Sequence, residues 1–355
     1  EFPMTITSKG TGTYSFNVKV LEKVINNVRY LLLKDDGDYT QKIYSGDQLR
    51  QAQLLSEGSI IATKLMVQRG LMEKPDVMHG HDWQAGPLNL LLQTKYADDP
   101  ILRGVAHVAS DHNPMQQGPD FPVSRFGDLG VDWIHWFGAK RDDKSFNLKR
   151  AQLFHTQYIL PVSPNNAVEI LSGKEAYGNG DLYQRKADRV IGISNGILLD
   201  RWPVLAPAAK RVAEKKLLMD LGLAPKGPHT VTIGTVARID QQKDTQVILG
   251  AVDQILRETH GDVRFVFIGD GHPDNPYTAE TKKMMRNLKA DWPDQVYFIF
   301  DAKNIRGFSA KDHELTNRVF DGLDIFLYPS KFEPFGTKAA TALKKGVPGV
   351  FSPVG

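Results

Sequence analysis

Short apolar runs that alternate with stretches of helical periodicity govern what this chain can fold into. Runs at residues 77–79, 105–109, 158–162 and 190–193 are followed by runs at 231–236, 263–268, 296–300, 325–328 and 349–351. Between them, apolar residues recur at three- and four-residue spacing, as on one face of a helix. Strands and helices in strict alternation predict parallel sheets covered by helices, an α/β architecture. At 355 residues the chain exceeds what one core serves, so two domains are expected. The stretch 201–228 carries Pro203, Pro207, Pro225 and Pro228 and separates the two strand sets as a connection would. It puts the boundary near Asp200, with domains at 1–200 and 201–355.

The start of the chain has a different pattern. Residues 14–34 alternate apolar and polar on either side of Asn26-Asn27, which predicts a β-hairpin with matching turn chemistry. Residues 49–68 then repeat apolar positions at helical spacing. The opening Glu1-Phe2-Pro3-Met4, and an end at Val354-Gly355 directly after an apparent buried strand, suggest a piece of a longer protein.

Composition removes several classes of function. A formal charge of +3 is too small and too dispersed for nucleic-acid or membrane binding by bulk electrostatics, so anion recognition must come from placed Arg and Lys. Without cysteine there are no disulfides, thiolate nucleophiles or thiolate metal sites. That usage suits a reducing compartment, the cytoplasm or a plastid. Every apolar stretch is interrupted by charge within a strand's length, so none reads as a signal peptide or a membrane span.

Four segments carry polar residues at the carboxyl ends of predicted strands, where open α/β sheets bind ligands. In His79-Gly80-His81-Asp82-Trp83-Gln84-Ala85-Gly86 the strand runs into a polar turn, with a helix expected near Pro87; packed core histidines are the plain alternative for His79 and His81, which the cluster with Asp82 and Trp83 makes the lesser one. Ser110-Asp111-His112-Asn113-Pro114 leads into Gln116-Gln117-Gly118, and His112 could donate to a sugar hydroxyl or simply stand in a structural loop. Arg238 and Lys243 follow the strand at 231–236, at a strand end and a helix start. Two cations beside free backbone N–H groups suit a diphosphate. The plain alternative is a solvated loop Arg and a helix-surface Lys, and on either reading replacing Lys243 is expected to disturb folding little. In Tyr328-Pro329-Ser330-Lys331-Phe332-Glu333-Pro334-Phe335-Gly336-Thr337-Lys338, Glu333 can accept hydrogen bonds from hydroxyls, and Thr337 with the first-turn amides can meet phosphate.

Two further patterns point elsewhere. Asp36-Gly37-Asp38 follows an apolar run as a metal-binding Asp-x-Asp would, although Asp-Gly pairs are commonest in plain turns. Gly269-Asp270-Gly271 suggests a dinucleotide-binding turn but lacks its third glycine and continues into His272-Pro273, which argues against an oxidoreductase.

Taken in order, these segments resemble the starch/glycogen synthase family of retaining glycosyltransferases. The resemblance runs from about Pro75 to the end and includes Pro75 to Gly86, His112-Asn113 with Gln117-Gly118, and Val162-Ser163-Pro164. It continues through Ala176-Tyr177-Gly178, Ser194-Asn195-Gly196-Ile197 with Trp202, Arg238 with Gln242-Lys243, and Ser330 to Gly336. It implies the GT-B fold, two Rossmann-like domains facing across a cleft. By the resemblance, Arg238 and Lys243 bind the donor diphosphate and Glu333 holds the glucose. Phe335, Gly336 and Thr337 meet the donor at the helix start, Asp82 and His112 line the sugar site, and Asn195 lies beside the cleft. The implied substrates are ADP-glucose or UDP-glucose and an α-glucan or oligosaccharide acceptor, with no metal and no other cofactor.

Three features depart from the family pattern. The Lys-x-Gly-Gly-Leu loop is absent, Ser8-Lys9-Gly10-Thr11-Gly12 being only a faint echo. Thr341 stands eight positions after Glu333, where many GT-B enzymes carry a second glutamate. The Gly-rich turn expected after Val354-Gly355 is not in the chain. An inactive GT-B module that binds glucan or a partner protein is therefore the competing expectation, and a metal-dependent transferase built on Asp36 and Asp38 is the third.

Overall fold

The computed structural model describes residues 2–7, 13–35, 37, 46–223, 230–299 and 312–355. The chain divides into two compact units, Glu1–Ser194 and Asn195–Gly355.

The first unit opens with β1 (Phe2–Thr7), β2 (Thr13–Ile25) and β3 (Val28–Asp35), an antiparallel sheet in that order. Asn26 and Asn27 link β2 to β3 with φ of 50° and 62°. Asparagine tolerates that left-handed backbone, and the twist of such a turn matches that of the strands it joins. Helix α1 (Gln48–Gln68) follows, its first turn capped by Asp47, which accepts the Arg50 N–H at 3.3 Å.

A parallel sheet then forms from β4 (Val77–His81), β5 (Ala106–Asp111) and β8 (Tyr158–Pro161), with β5 in the middle. Between β4 and β5 lies α2 (Gly86–Gln93), buried from Gly86 to Leu92, and so apolar on every side as a helix enclosed by protein must be. Between β5 and β8 come β6 (Asp120–Pro122), α3 (Trp136–Ala139), β7 (Ser145–Asn147) and α4 (Leu148–His155). Helices α5 (Pro164–Leu171) and α6 (Gly180–Arg185) complete the unit. Leu90, Leu91, Phe126, Leu129, Phe146 and Leu148, all inaccessible to solvent, form the centre of its core.

Residues 190–193 do not extend this sheet as the expected fourth strand. Val190 makes one parallel bridge to Ile159, and the N–H groups of Ile191 and Ile193 donate to the carbonyls of Ile159 and Pro161. Gly192 lies so close to the backbone of Ser163 and Pro164 that any side chain there would overlap it. The segment thus lies between β8, to which it hydrogen-bonds, and the start of α5, which it touches through Gly192.

The second unit begins with α7 (Pro207–Asp220) and alternates thereafter: β9 (Val231–Val236), α8 (Thr245–Glu258), β10 (Val263–Ile268), α9 (Pro276–Asp291), β11 (Val296–Ile299), α10 (Asp312–Gly322), β12 (Ile325–Tyr328), α11 (Thr337–Lys344) and β13 (Gly349–Phe351). Its sheet is parallel, in the order β11-β10-β9-β12-β13. Half of the stretch expected as a connection, Pro207–Asp220, is thus helix. Pro207 occupies its first turn, where a missing N–H costs nothing, and Leu217 and Leu218 are buried in the core of this unit. From β9 the chain proceeds to β10 and β11 on one side, then crosses to β12 and β13 on the other. The strand order therefore reverses between β9 and β12, which opens a crevice outside their carboxyl ends.

One buried group ties stability to pH. His155, 2% exposed at the end of α4, donates through Nδ1 to Gln93 Oε1 at 2.6 Å. Burial first, then His135, Lys186 and His107 nearby, pushes its pKa down from 6.5 to about 3. The folded unit holds the ring neutral while the unfolded chain takes up a proton below 6.5. This contribution is complete above 6.5 and is lost as pH falls toward 3. Unfolding free energy from urea titrations should fall more steeply between pH 6.5 and 5.5 in the parent than in His155→Gln, by about 1 kcal/mol.

Candidate active site

In the second unit, the loops leaving β9 and β12 meet beside the strand-order reversal. Arg238 is the second residue after β9, and Lys243 closes a short helical turn before α8, where Asp240 accepts its N–H at 3.0 Å. Backbone and side chain join this loop to the one after β12: the Lys331 N–H donates to the Gln242 carbonyl at 2.9 Å, and Gln242 Nε2 donates to the Phe332 carbonyl at 3.0 Å. Gln242 Oε1 then accepts from Arg238 at 3.2 Å.

Lys243 and Glu333 are directly paired, with side chains only 9% and 14% exposed. The Lys243 ammonium also donates to the Tyr328 hydroxyl at 2.9 Å, and that hydroxyl donates to Glu333 Oε2 at 2.9 Å. Burial, then the charge of Glu333, raises the Tyr328 pKa, so the phenol keeps the proton it donates. Ser330 adds a longer contact to the same oxygen at 3.4 Å. Among the described residues two of the ammonium's three N–H donors are engaged, which leaves one for a ligand, and Glu333 Oε1 is likewise open to a hydroxyl. Arg238 is different: its side chain is 61% exposed and held at one edge by Asp240 at 3.1 Å.

Gly336, with φ of 82°, makes the left-handed turn from Phe335 into α11, and the helix starts at Thr337. A helix start presents unpaired N–H groups and a positive dipole end, both suited to phosphate. Beside these loops a cavity of about 340 Å³ opens at the ends of β9, β10 and β11. Its walls include Ala237, Arg238, Gly269 and Ile299, with Thr316 from α10 and Lys338 from α11.

The first unit gathers a second cluster at the ends of β4 and β5. His79, His81 and His112 stack in sequence, with ring centroids 4.2 and 5.1 Å apart. One ring proton is shared between His81 Nδ1 and His112 Nε2 at 2.8 Å, and His79 Nε2 meets Ser110 Oγ at 2.8 Å. Burial, then the neighbouring imidazoles, holds His79 and His81 below the usual histidine range, so both are neutral near pH 7. Asp82 has φ of 56° and ψ of −177°, a region that strongly disfavours a side chain and costs about 1–3 kcal/mol. Its Oδ1 accepts the His112 N–H at 3.1 Å. Trp83 packs over the loop after β5 so closely that only glycine fits at Gly118, which also has φ of 70°.

Sequence reading thus named Asp82 and His112, which are hydrogen-bonded, and Arg238, Lys243 and Glu333, which one network joins. Two plain alternatives fail. His79 and His81 are not packed in the core, and Lys243 is 8% exposed rather than a surface lysine. Asn195 is half-buried and joins neither network, and the Thr337 side chain is exposed. Thr341 is fully buried, with its hydroxyl donating to the Thr337 carbonyl at 2.8 Å. Asp36, Asp38 and residues 8–12 lie outside the described residues. Tyr328 was not singled out because a strand-end tyrosine carries no spacing signal. Lys149, Asp111 and Tyr183, which lie behind Asp82, were missed for the same reason.

Two units of this kind, each with a parallel sheet and ligand-type residues at its strand ends, define a GT-B glycosyltransferase fold. The family model for the starch synthase catalytic domain matches residues 2–185, and that for glycosyl transferases group 1 matches residues 230–355. The first covers more than half of the chain, which therefore belongs to the starch synthase catalytic domain family. Similar relatives include a glycogen synthase of Elusimicrobium minutum, 30% identical over 79% of this chain and 57% of its own length. Another, from Rhodopseudomonas palustris strain TIE-1, is 30% identical over 88% of this chain and 62% of its own length. Glycogen synthase 1 of Geobacter metallireducens is 29% identical over 77% of this chain and 53% of its own length. The chain thus spans between half and two thirds of the length of these relatives. Among solved structures, the catalytic domain of starch synthase IV from Arabidopsis thaliana bound to ADP and acarbose superposes with a TM-score of 0.81 at 21% identity. That match covers 99% of this chain and 71% of the other.

The two cations should respond differently to removal. Lys243→Met leaves Glu333 as a buried, uncompensated charge and should destabilise the second unit by about 3 kcal/mol. Arg238→Met should stay within about 0.5 kcal/mol of the parent, as exposed substitutions do. Urea unfolding of both variants checks the difference.

Proposed function

We propose that this chain carries the catalytic machinery of a retaining glucosyltransferase of the glycogen/starch synthase type. It would transfer glucose from ADP-glucose or UDP-glucose to the non-reducing end of an α-glucan. The observation that carries this reading is the convergence of Arg238, Lys243 and Glu333 at the strand-order reversal, beside a cavity and a helix start. The likeness to a starch synthase bound to ADP and acarbose supports a nucleotide and an oligosaccharide as the ligand classes.

In this reading the cavity at the ends of β9 to β11 takes the nucleoside. Its diphosphate meets the Arg238 guanidinium, the remaining Lys243 donor and the amides at the start of α11. Glu333 Oε1 accepts from the glucose hydroxyls, and in the first unit His112 and Asp82 offer hydrogen-bonding groups of the kind a sugar takes. The bond from C1 to the diphosphate oxygen breaks with both electrons leaving on phosphate, and the cations stabilise that charge as it develops. The acceptor oxygen bonds to C1 on the same face, and its proton passes to the departing phosphate. These cations neutralise the diphosphate without a divalent metal, and no protein nucleophile takes part.

Titration of the chain with ADP-glucose and UDP-glucose, alongside a nucleotide-release assay over a panel of sugar nucleotides, tests the proposal. Saturable binding of one glucose donor, unchanged by excess chelator, is expected. Arg238→Lys should weaken donor binding about tenfold, because a point charge does not reproduce a planar fork on phosphate oxygens. Binding abolished by chelator would replace this mechanism with a metal-dependent one involving Asp36 and Asp38. Glucan binding with no donor binding at all would make the chain an inactive module.

A further inference from the structure

Behind Asp82 lies a cation in an unfavourable place. Lys149 is the second residue of α4, at the end where the helix dipole is positive and backbone N–H groups lack partners. Asn147 caps that end, accepting the Lys149 and Arg150 N–H groups at 2.9 and 3.3 Å. The Lys149 side chain is nevertheless completely buried. Desolvation and the dipole both oppose an ammonium there, so its carboxylate partners must hold it.

Those partners are unequal. Asp111, 1% exposed, receives Lys149 on Oδ1 at 2.6 Å and the Tyr183 hydroxyl on Oδ2. Burial and then Asp111 raise the Tyr183 pKa, which keeps the phenol a donor. Both oxygens of Asp111 are therefore engaged within the protein. Asp82, 30% exposed, receives Lys149 at 3.5 Å on Oδ1, the same oxygen that accepts the His112 N–H. Lys149 and the His112 amide thus hold the same oxygen of a carboxylate that is partly open to solvent.

We propose that Lys149 is a positioning residue. Anchored by Asp111 and Tyr183, it fixes the Asp82 carboxylate over a strained backbone and, through the shared oxygen, fixes the main chain of His112. A buried pair needed only for packing would be complete with Asp111. The second bond, to a partly exposed carboxylate, gives the ammonium a use beyond stability. The proposal rests on the glycosyltransferase reading for its catalytic consequence but not for its geometry.

Lys149→Met alone strands Asp111 as a buried charge and is expected to unfold the unit. The informative comparison is therefore Asp111→Asn, which leaves Lys149 with Asp82 as its carboxylate, against Lys149→Met/Asp111→Asn, which removes the tether and the buried charge together. Hydrogen exchange at the His112 amide should be about tenfold faster in the double variant than in Asp111→Asn, while amides of α2 exchange alike in both. With donor and glucan supplied, kcat of the double variant should fall about tenfold or more below that of Asp111→Asn, with affinity for the free nucleotide unchanged. Equal His112 exchange in the two variants overturns the proposal, whatever the activity. A parent chain that transfers no glucose overturns the function proposed above and leaves the exchange comparison to decide the role of Lys149.

Discussion

Parallel strands all end at the same edge of their sheet, because each returns through a crossover. Everything chemical in this chain follows from that constraint. In the second unit it delivers the loops after β9 and β12 to one edge, and the reversal of strand order between them leaves a crevice there. The gap is filled by the Lys243–Glu333–Tyr328 network, a buried arrangement that is favourable only when all its members are present. The same network that secures the two loops presents an unspent ammonium donor and an open carboxylate oxygen.

The first unit solves the same problem with different chemistry. The ends of β4 and β5 carry three stacked imidazoles and an aspartate on a strained backbone. Strain of that kind persists where neighbours over-determine the conformation. Here the neighbours are the Ser110 carbonyl, which receives the Asp82 N–H at 3.1 Å, the His112 amide, and the fully buried Lys149. Trp83 over Gly118 locks the two loops from above. Hydrogen bonds set the donors and acceptors, and burial with neighbouring imidazoles keeps His79 and His81 neutral, a state suited to hydroxyls.

Departures from the sequence-based expectations share one cause. Residues 190–193 have the composition of a strand, but they run beside β8 with one bridge and two hydrogen bonds, and Gly192 packs directly against the backbone of Ser163 and Pro164. Prolines in 201–228 read as a connection, yet one proline is an ideal first residue for α7, and two leucines ten and eleven positions later anchor that helix in the core. Lys243 looks like a solvated residue beside a helix because charge is usually exposed. What buries it is Glu333, ninety positions away. In each case a partner distant in sequence outweighed a local preference.

Local pattern alone determined the hairpin turn at Asn26-Asn27, the alternation of strands and helices, and the strand-end positions of Asp82, His112, Arg238, Lys243 and Glu333. Apolar periodicity and turn chemistry act over a few residues and are written directly in their order. Tertiary structure decided which strand ends are neighbours, that Glu333 pairs with Lys243 across Tyr328, and that Lys149 and Tyr183 stand behind Asp82 and Asp111. Those choices depend on strand order and burial, because a charge enters the core only where a partner from elsewhere in the chain is waiting for it, and no short window of sequence contains both.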